Sequence, residues 1–237
     1  MEVFAVRGRR APTAVVLAMV ICGLVVAAAL TGAAVLRVRT NPAAAAPLTT
    51  SSASTNPRAG ECKREPCKRL GQVPVAGTDV QLIGDSGAAS GRLLIGSPGS
   101  PQIIEITVTD LGVKLTESSL QCAAGAVAAC IVRGVGDKGT TGQVIAGRSD
   151  KWSPLGRAFF SAANYLSLAN VVGDSSPEVI TVQRDCRTGE DCQRQVYVQV
   201  FGLGGEELGC TKTYSRMDQL PGYPEIVPTE IQLRGCP

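Results

Sequence analysis

The sequence predicts a mainly β, hairpin-rich domain, either propeller-like or a sandwich, with one or two short helices and a single transmembrane helix before it. Three observations carry this prediction. Residues 102–109, 178–183 and 196–201 are rich in the β-branched and aromatic side chains that favour strands. Gly, Asp, Ser and Pro separate these runs, as is typical of turns. Residues 13–36 contain no charge, and this run is long enough for a helix that crosses a membrane.

The apolar segment 13–36 predicts a membrane anchor. As a helix it would span roughly 36 Å, more than the hydrocarbon core of about 30 Å. Three arginines closely precede the segment and two follow it, a bias that favours an N-terminus in the cytoplasm. We therefore expect residues 1–12 to be a cytoplasmic basic tail and residues 13–36 to be an uncleaved signal anchor in the lipid bilayer. The alternative is a signal peptide cleaved near Ala46, although cleavable apolar regions usually have about 7–15 residues.

The chain beyond the anchor divides into a linker and one domain. Residues 37–61 are rich in Pro, Ala, Ser and Thr, which predicts an extended linker. Residues 62–237 form the predicted extracytoplasmic domain, so the protein is expected to be a single-pass protein of a bacterial cell membrane. Residues 61–237 carry 17 basic and 19 acidic side chains. Because nucleic-acid binding requires an excess of Lys and Arg on the folded surface, we expect no nucleic-acid partner.

Eight cysteines follow the apolar segment, and an even number beyond an export signal predicts disulfide bonds. The sequence does not fix their pairing, but short spacings favour bonds between neighbours. The expected pairs are Cys62–Cys67, Cys122–Cys130, Cys186–Cys192 and Cys210–Cys236. We expect the last pair to stabilise the fold most, because it closes the longest loop. Zinc is disfavoured, since the gaps are longer than in usual ligand pairs and the chain has no histidine.

Two stretches are candidates for the short helices. Residues 154–168 begin with a proline, which suits the first turn of a helix. Residues 122–130 are rich in alanine, although this stretch is also short enough to be a disulfide-closed loop. Residues 220–233 contain three prolines and predict an extended, rigid segment across the domain.

A weak internal repeat adds to the β prediction. Gly-Asp pairs at 84–85, 136–137 and 173–174 each begin a small polar turn before a strand. Around the third pair, residues 168–183, "LANVVGDSSPEVITVQ", resemble the repeat unit of FG-GAP and VCBS-type β-propellers. The resemblance implies a propeller-like or sandwich fold. It implies no calcium site, because each copy keeps only one of the several aspartates that the family's loop carries. We expect no cofactor or metal ion.

Residues 84–87, Gly-Asp-Ser-Gly, are similar to the serine loops of chymotrypsin-like proteases and SGNH esterases. Both families need a histidine base, which this chain lacks, so we expect Ser86 to belong to a turn. An exported hydrolase with a Ser-Lys or carboxylate site is the alternative function. Its lysine would be one of four: Lys114, Lys138, Lys151 and Lys212. Adjacent carboxylates occur at Glu190-Asp191 and Glu206-Glu207, but neighbouring strand residues point to opposite faces, so we expect neither pair to form an acid/base site and both to be solvated.

The preferred function is a non-catalytic domain that binds an envelope protein or a cell-wall component. Eight aromatic residues follow the linker, few enough for the core to contain most of them. Trp152 is the candidate contact residue if its side chain is exposed, because interfaces are enriched in tryptophan. Packing of Trp152 in the core is the preferred interpretation.

Overall fold

The computed structural model describes residues 64–186 and 195–237, and within these ranges the chain is mainly β. The described residues form twelve strands and four short 3-10 turns but no α-helix. The strands are β1 (Lys68–Val75), β2 (Thr78–Gly84), β3 (Gly91–Ile95), β4 (Gln102–Ile106), β5 (Leu120–Ala123), β6 (Ala128–Gly136), β7 (Gly139–Arg148), β8 (Lys151–Ser161), β9 (Leu166–Ala169), β10 (Glu178–Arg184), β11 (Val196–Phe201) and β12 (Glu207–Cys210).

The twelve strands form three antiparallel sheets of four strands each. The first sheet is β1–β4, the second β5–β8 and the third β9–β12, and in each sheet the strands follow one another in chain order. The second strands of the three sheets begin at Thr78, Ala128 and Glu178. This regular spacing shows that one meander occurs three times in the chain. The first strands of successive sheets approach closely, since a Cβ at Gly71 of β1 would lie 3.4 Å from the Cβ of Leu120 of β5.

The second sheet is buried on both faces. Cys130, Val132 and Ile145 belong to the apolar cluster that it shares with the first sheet. Their neighbours Ile131 and Val144 belong to the cluster that it shares with the third sheet. Because successive strand residues point to opposite faces, burial of both faces explains why β6 and β7 read as continuous runs of apolar and small residues.

The C-terminal segment, residues 211–237, covers the other face of the third sheet. Its Leu220 and Ile226 are buried against the valines of β11. The Tyr165 hydroxyl accepts a hydrogen bond from the Ile226 backbone N–H at 2.7 Å. The backbone of Arg234 exchanges two hydrogen bonds with Cys210 at the edge of the sheet. The segment is therefore packed and hydrogen-bonded along its length, without forming a regular strand.

Glutamine side chains connect the sheets by bonding to backbone groups. Gln102 on β4 donates to the Trp152 carbonyl at 2.6 Å and accepts from the Trp152 N–H at 3.1 Å. Gln121 on β5 does the same with Leu168 on β9, at 3.2 and 3.4 Å. Gln183 on β10 bonds to the backbone at the end of β8. A glutamine amide carries one donor group and one acceptor, as a peptide unit does, so it can extend backbone pairing from one sheet to the next.

The predicted helix over 154–168 is wrong. The structure places this stretch in β8, in a tight corner and in β9. β8 is an edge strand, where Pro154 is tolerated although it lacks an N–H. Asn164 forms the corner with a φ of 62°, a left-handed conformation that asparagine adopts more readily than most residues. Burial of the Phe159 ring between two sheets outweighs the helical propensity of the local sequence.

The weaker helix candidate, 122–130, is a hairpin. Cys122 and Cys130 lie opposite each other on β5 and β6 and are joined by a disulfide bond. A second disulfide joins Cys210 and Cys236. Cys67 is also part of a disulfide bond, and so is Cys186. The residues predicted to pair with the latter two, Cys62 and Cys192, lie outside the described ranges.

The three Gly-Asp turns do not occupy equivalent places. The pairs at 84–85 and 136–137 connect the second and third strands of their sheets, whereas the pair at 173–174 connects the first and second strands of the third sheet. The Gly-Asp repeat in the sequence therefore shows only that these three turns have similar residues, and it does not coincide with the repeat of the four-stranded sheets.

Among the described residues, no helix is long and apolar enough to cross a membrane. The predicted tail, anchor and linker, residues 1–61, lie outside the described ranges.

Candidate ligand-binding site

A polar pocket of about 610 Å³ opens at the end of the domain where β5 and β9 begin. Its walls come from the second and third sheets and from the C-terminal segment. The approach to β5 contributes Ser119, β6 contributes Arg133, and β9 contributes Ser167. The volume is within the range of about 300–1,000 Å³ that is typical of small-molecule sites.

Arg133 is the cation of this pocket. It extends from β6 toward β9, where its Nη1 atom donates to the Leu166 carbonyl oxygen and, at 3.0 Å, to Oε1 of Gln121. The same Gln121 amide pairs with Leu168, so a bonded chain runs from β9 through Gln121 to the guanidinium. This arrangement fixes the position of Arg133 at the junction of two sheets.

The Arg133 guanidinium has no carboxylate partner among the described residues. Its two known hydrogen bonds both leave from Nη1, so the Nε and Nη2 hydrogens have no acceptor in the described part of the chain. Burial lowers the pKa of Arg133, with a smaller opposing effect from Tyr165. An arginine remains a cation in proteins, so the pocket contains a half-buried positive charge with donor groups to spare.

Hydroxyl groups surround Arg133. Ser167 is only 7% exposed, and its Oγ is buried without a hydrogen-bond partner in the described structure. Buried hydroxyls are normally bonded, so this atom is an unsatisfied polar group in a lining residue. Thr116, Ser118, Ser119, Thr140 and Tyr165 also line the pocket and carry hydroxyls, of which those of Thr140 and Tyr165 bond to Asn164 and Ile226.

The rim of the pocket is mixed in character. Val135 and Val227 are exposed apolar side chains, 60% and 38% accessible. Glu225 of the C-terminal segment lines the pocket and is exposed. A bound anion would therefore be attracted by Arg133 and repelled by Glu225, a difference that substitution can measure.

Ser86 lies in a second recess at the same end of the molecule, between the first and second sheets. It is exposed, and it starts a 3-10 turn in which Gly87 has a φ of 81°. None of the four lysines considered from the sequence lines this recess. The lysine that does is Lys68, whose Nζ lies 2.7 Å from Oε1 of Glu117 and lowers the pKa of that carboxyl.

A third cavity, of about 650 Å³, lies at the opposite end, where the loop of residues 170–177 enters β10. Glu178 is buried there and accepts the Val171 N–H at 2.6 Å. Burial raises the pKa of Glu178, and bonds from the Val171 and Val172 N–H groups oppose this increase. Asp174 accepts the Ser176 N–H at 2.6 Å, and Asn170 accepts the Gly173 N–H at 2.8 Å.

The polar side chains of this loop thus bond to the loop itself. Among the described residues, no group of three or more Cys, Asp or Glu side chains is arranged to hold a metal ion. Within residues 168–183 the structure places the end of β9, a turn and the start of β10.

Trp152 is not a surface residue of this domain. It is 4% exposed and packs in the cluster between the first and second sheets. Its ring lies over Gly147 on the paired strand, where a Cβ atom would be only 2.5 Å from the ring. The absence of a side chain at Gly147 makes room for the indole. Because the Trp152 side chain is buried, it does not have the exposure that a contact residue for a partner would need.

Of the two carboxylate pairs, only Glu206-Glu207 lies within the described ranges. Glu207 accepts a hydrogen bond from Gln199 at 2.5 Å, and Glu206 lies over the glycine-rich turn before β12. Glu190 and Asp191 lie outside the described ranges.

The sequence did not single out Arg133, because one arginine in a strand carries no motif. Its only signal is a charge within a run of buried, apolar residues.

No protein-family model matches this chain, and no curated protein or solved structure is significantly similar to it.

Proposed function

We propose that this chain is a membrane-anchored binding protein whose β domain lies outside the cytoplasm and binds a component of the bacterial cell envelope without catalysing a reaction. Residues 13–36 anchor it in the bilayer with the N-terminus in the cytoplasm, and residues 37–61 separate the domain from the membrane. The observation that carries the binding role is the polar pocket around Arg133, with its unpaired guanidinium.

The proposed architecture of the domain is an open, propeller-like array of three blades. Four-stranded meanders repeated at about 50 residues are typical of propeller blades. The contacts of β1 with β5 and of β5 with β9 support this arrangement, since the first strand of each blade then lies innermost. The C-terminal segment covers the face that a fourth blade would cover.

The disulfides support an extracytoplasmic location. Cys122–Cys130 and Cys210–Cys236 are bonded, and disulfides persist in oxidising compartments. Bridges between near neighbours would also offset a core that is poor in aromatic residues.

The alternative, a hydrolase, would need a base beside Ser86. Lys68 is the only described lysine that lines that recess, and its ammonium forms an ion pair with Glu117, so it is not arranged as a free amine. A fluorophosphonate probe, which labels activated serines, is expected to leave the protein unmodified. Labelling that disappears in Ser86→Ala would show that the chain is a hydrolase.

Reporter fusions test the location. The full chain is fused at its C-terminus to alkaline phosphatase, which is active only outside the cytoplasm, and separately to a fluorescent protein that folds only inside. The proposal predicts phosphatase activity without fluorescence. Fluorescence without phosphatase activity would contradict it.

Site-specific crosslinking tests the binding role. A photo-reactive amino acid replaces Val135 at the rim of the pocket, and Ile103 in the first sheet provides the control. The two side chains are similarly exposed, at 60% and 50%. Illumination of intact cells is expected to give a discrete adduct from position 135 alone. The same adducts from both positions, or none from position 135, would contradict the proposal.

A further inference from the structure

We infer that the pocket around Arg133 binds a small ligand that carries a carboxylate and several hydroxyl groups, the chemistry of a sugar acid. This inference rests on the proposed function and names the ligand class for the same site. Arg133 holds the carboxylate, and the surrounding hydroxyls hold the rest of the molecule.

The carboxylate is assigned from the free donors of Arg133. Both known bonds of the guanidinium leave from Nη1, and they hold it against Gln121 and the Leu166 carbonyl. The Nε and Nη2 groups form the fork that binds a carboxylate through two parallel hydrogen bonds. A guanidinium that is already held in place loses little further freedom on binding, which favours affinity.

The hydroxyl groups are assigned from the lining. Thr116 and Ser118 line the cavity, are exposed and carry hydroxyl groups, and the buried Oγ of Ser167, another lining residue, has no partner in the described structure. A hydroxyl both donates and accepts, so such a surface matches the hydroxyls of a sugar. The cavity of about 610 Å³ accommodates one or two sugar rings.

Calorimetric titration of the full chain in detergent tests the inference, with D-glucuronate as the probe. D-glucose has the hydroxyls without the carboxylate, and acetate has the carboxylate without the hydroxyls. We expect glucuronate to bind at least tenfold more tightly than either. Equal binding of glucuronate and glucose, or no binding of glucuronate, would overturn the inference.

Two variants with opposite expected effects locate the binding. Arg133→Lys keeps the charge but loses the fork, so the affinity for glucuronate is expected to fall about tenfold. Glu225→Gln removes a rim carboxylate, so the affinity is expected to rise severalfold while any glucose binding is unchanged. Because Glu225 is exposed and outside the core, this variant remains informative if Arg133→Lys fails to fold. Unchanged affinity in Glu225→Gln would contradict binding at this pocket.

A spectroscopic readout separates direct contact from a structural role. In protein labelled with nitrogen-15, the Nε–H signal of Arg133, assigned from its loss in Arg133→Lys, is expected to shift on addition of glucuronate. A stationary signal under saturating glucuronate would overturn the inference. The crosslinking at Val135 does not depend on ligand chemistry, so an adduct without glucuronate binding would leave the proposed function intact and reject only the ligand class.

Discussion

The side-chain amides of single glutamine residues form hydrogen bonds in this fold that backbone peptide groups would form in a continuous sheet. Gln102, Gln121 and Gln183 each place an amide against a peptide unit of a neighbouring sheet, where no strand continues the pairing. The sequence gives no sign of this role, since a glutamine in a strand usually indicates an exposed face. The sequence also gives no sign of the role of Arg133. Its guanidinium bonds to strand β9, which is distant in the chain but adjacent in space.

Removal of one of these amides is expected to weaken the fold measurably. Gln102→Ala leaves the Trp152 N–H and carbonyl groups without partners near the core, so the free energy of unfolding should fall by about 1–3 kcal/mol. Gln72→Ala is the matched control, because Gln72 is exposed and its amide bonds to Asp79 within the same sheet, so its loss should cost less than about 0.5 kcal/mol. Urea denaturation of both variants measures the difference. Equal losses would show that the contact between sheets contributes nothing special.

Glu178 makes stability depend on pH. Burial raises its pKa, so the folded protein holds this proton more tightly than the unfolded chain does. The contribution of Glu178 to the free energy of unfolding should therefore be largest where this carboxyl is protonated and should fall as the pH rises from about 4 upward. Glu178→Gln has no such proton, and its stability should decline less over that interval.

Denaturation at a series of pH values between about 4 and 7 checks this dependence. The exposed Glu230→Gln is the control and should follow the wild type. A decline of the same size in Glu178→Gln would assign the pH dependence to other groups.

At the scale of elements, the sequence predicted strands well where their burial is one-sided or where β-branched residues dominate. The runs at 102–109, 178–183 and 196–201 all contain strands. It failed for 154–168, because a window of Ala, Leu and Phe does not reveal that the stretch contributes one strand to each of two sheets. Local propensity is a weak preference, and packing of Phe159 with Phe201, at 5.6 Å between ring centroids, outweighs it.

The cysteine spacing predicted the disulfide Cys122–Cys130 correctly, because this contact is local in the sequence. The helix prediction failed because the contacts that decide the conformation of 154–168 are distant in the sequence. Cys122 and Cys130 are opposite each other on adjacent strands, so a short spacing in sequence becomes a short distance in space. The C-terminal bridge joins residues separated by 26 positions and holds the segment that covers the third sheet.

The two bridges should differ in their effect on stability. On the chain-entropy account, loss of Cys210–Cys236 through paired serine substitutions should cost about 3.5 kcal/mol, against about 2.5 kcal/mol for Cys122–Cys130. The reason is that Cys210–Cys236 closes the longer loop, with a sequence separation of 26 against 8 for Cys122–Cys130. Urea denaturation of the two double variants measures both losses. A larger loss for Cys122–Cys130 would show that strain or local packing, and not loop length, decides.

At the scale of the whole molecule, the sequence predicts an anchor, and the structure shows a β domain of three sheets later in the chain. The β class was predictable because turn residues and β-branched runs are local signals. The pocket was not, because its walls come from β5, β6, β9 and the C-terminal segment, which only the stacking of the sheets brings together. The binding proposal therefore depends on the structure, and the proposed location depends on the sequence and its cysteines.

Thiol counting tests the proposed location most directly. The full chain is purified from membranes, unfolded without reducing agent, treated with an alkylating reagent and weighed by mass spectrometry. Maturation outside the cytoplasm predicts that Cys22 of the apolar segment alone reacts, and that eight more thiols react only after reduction. Reaction of all nine cysteines before reduction would place the domain in a reducing compartment and contradict the account.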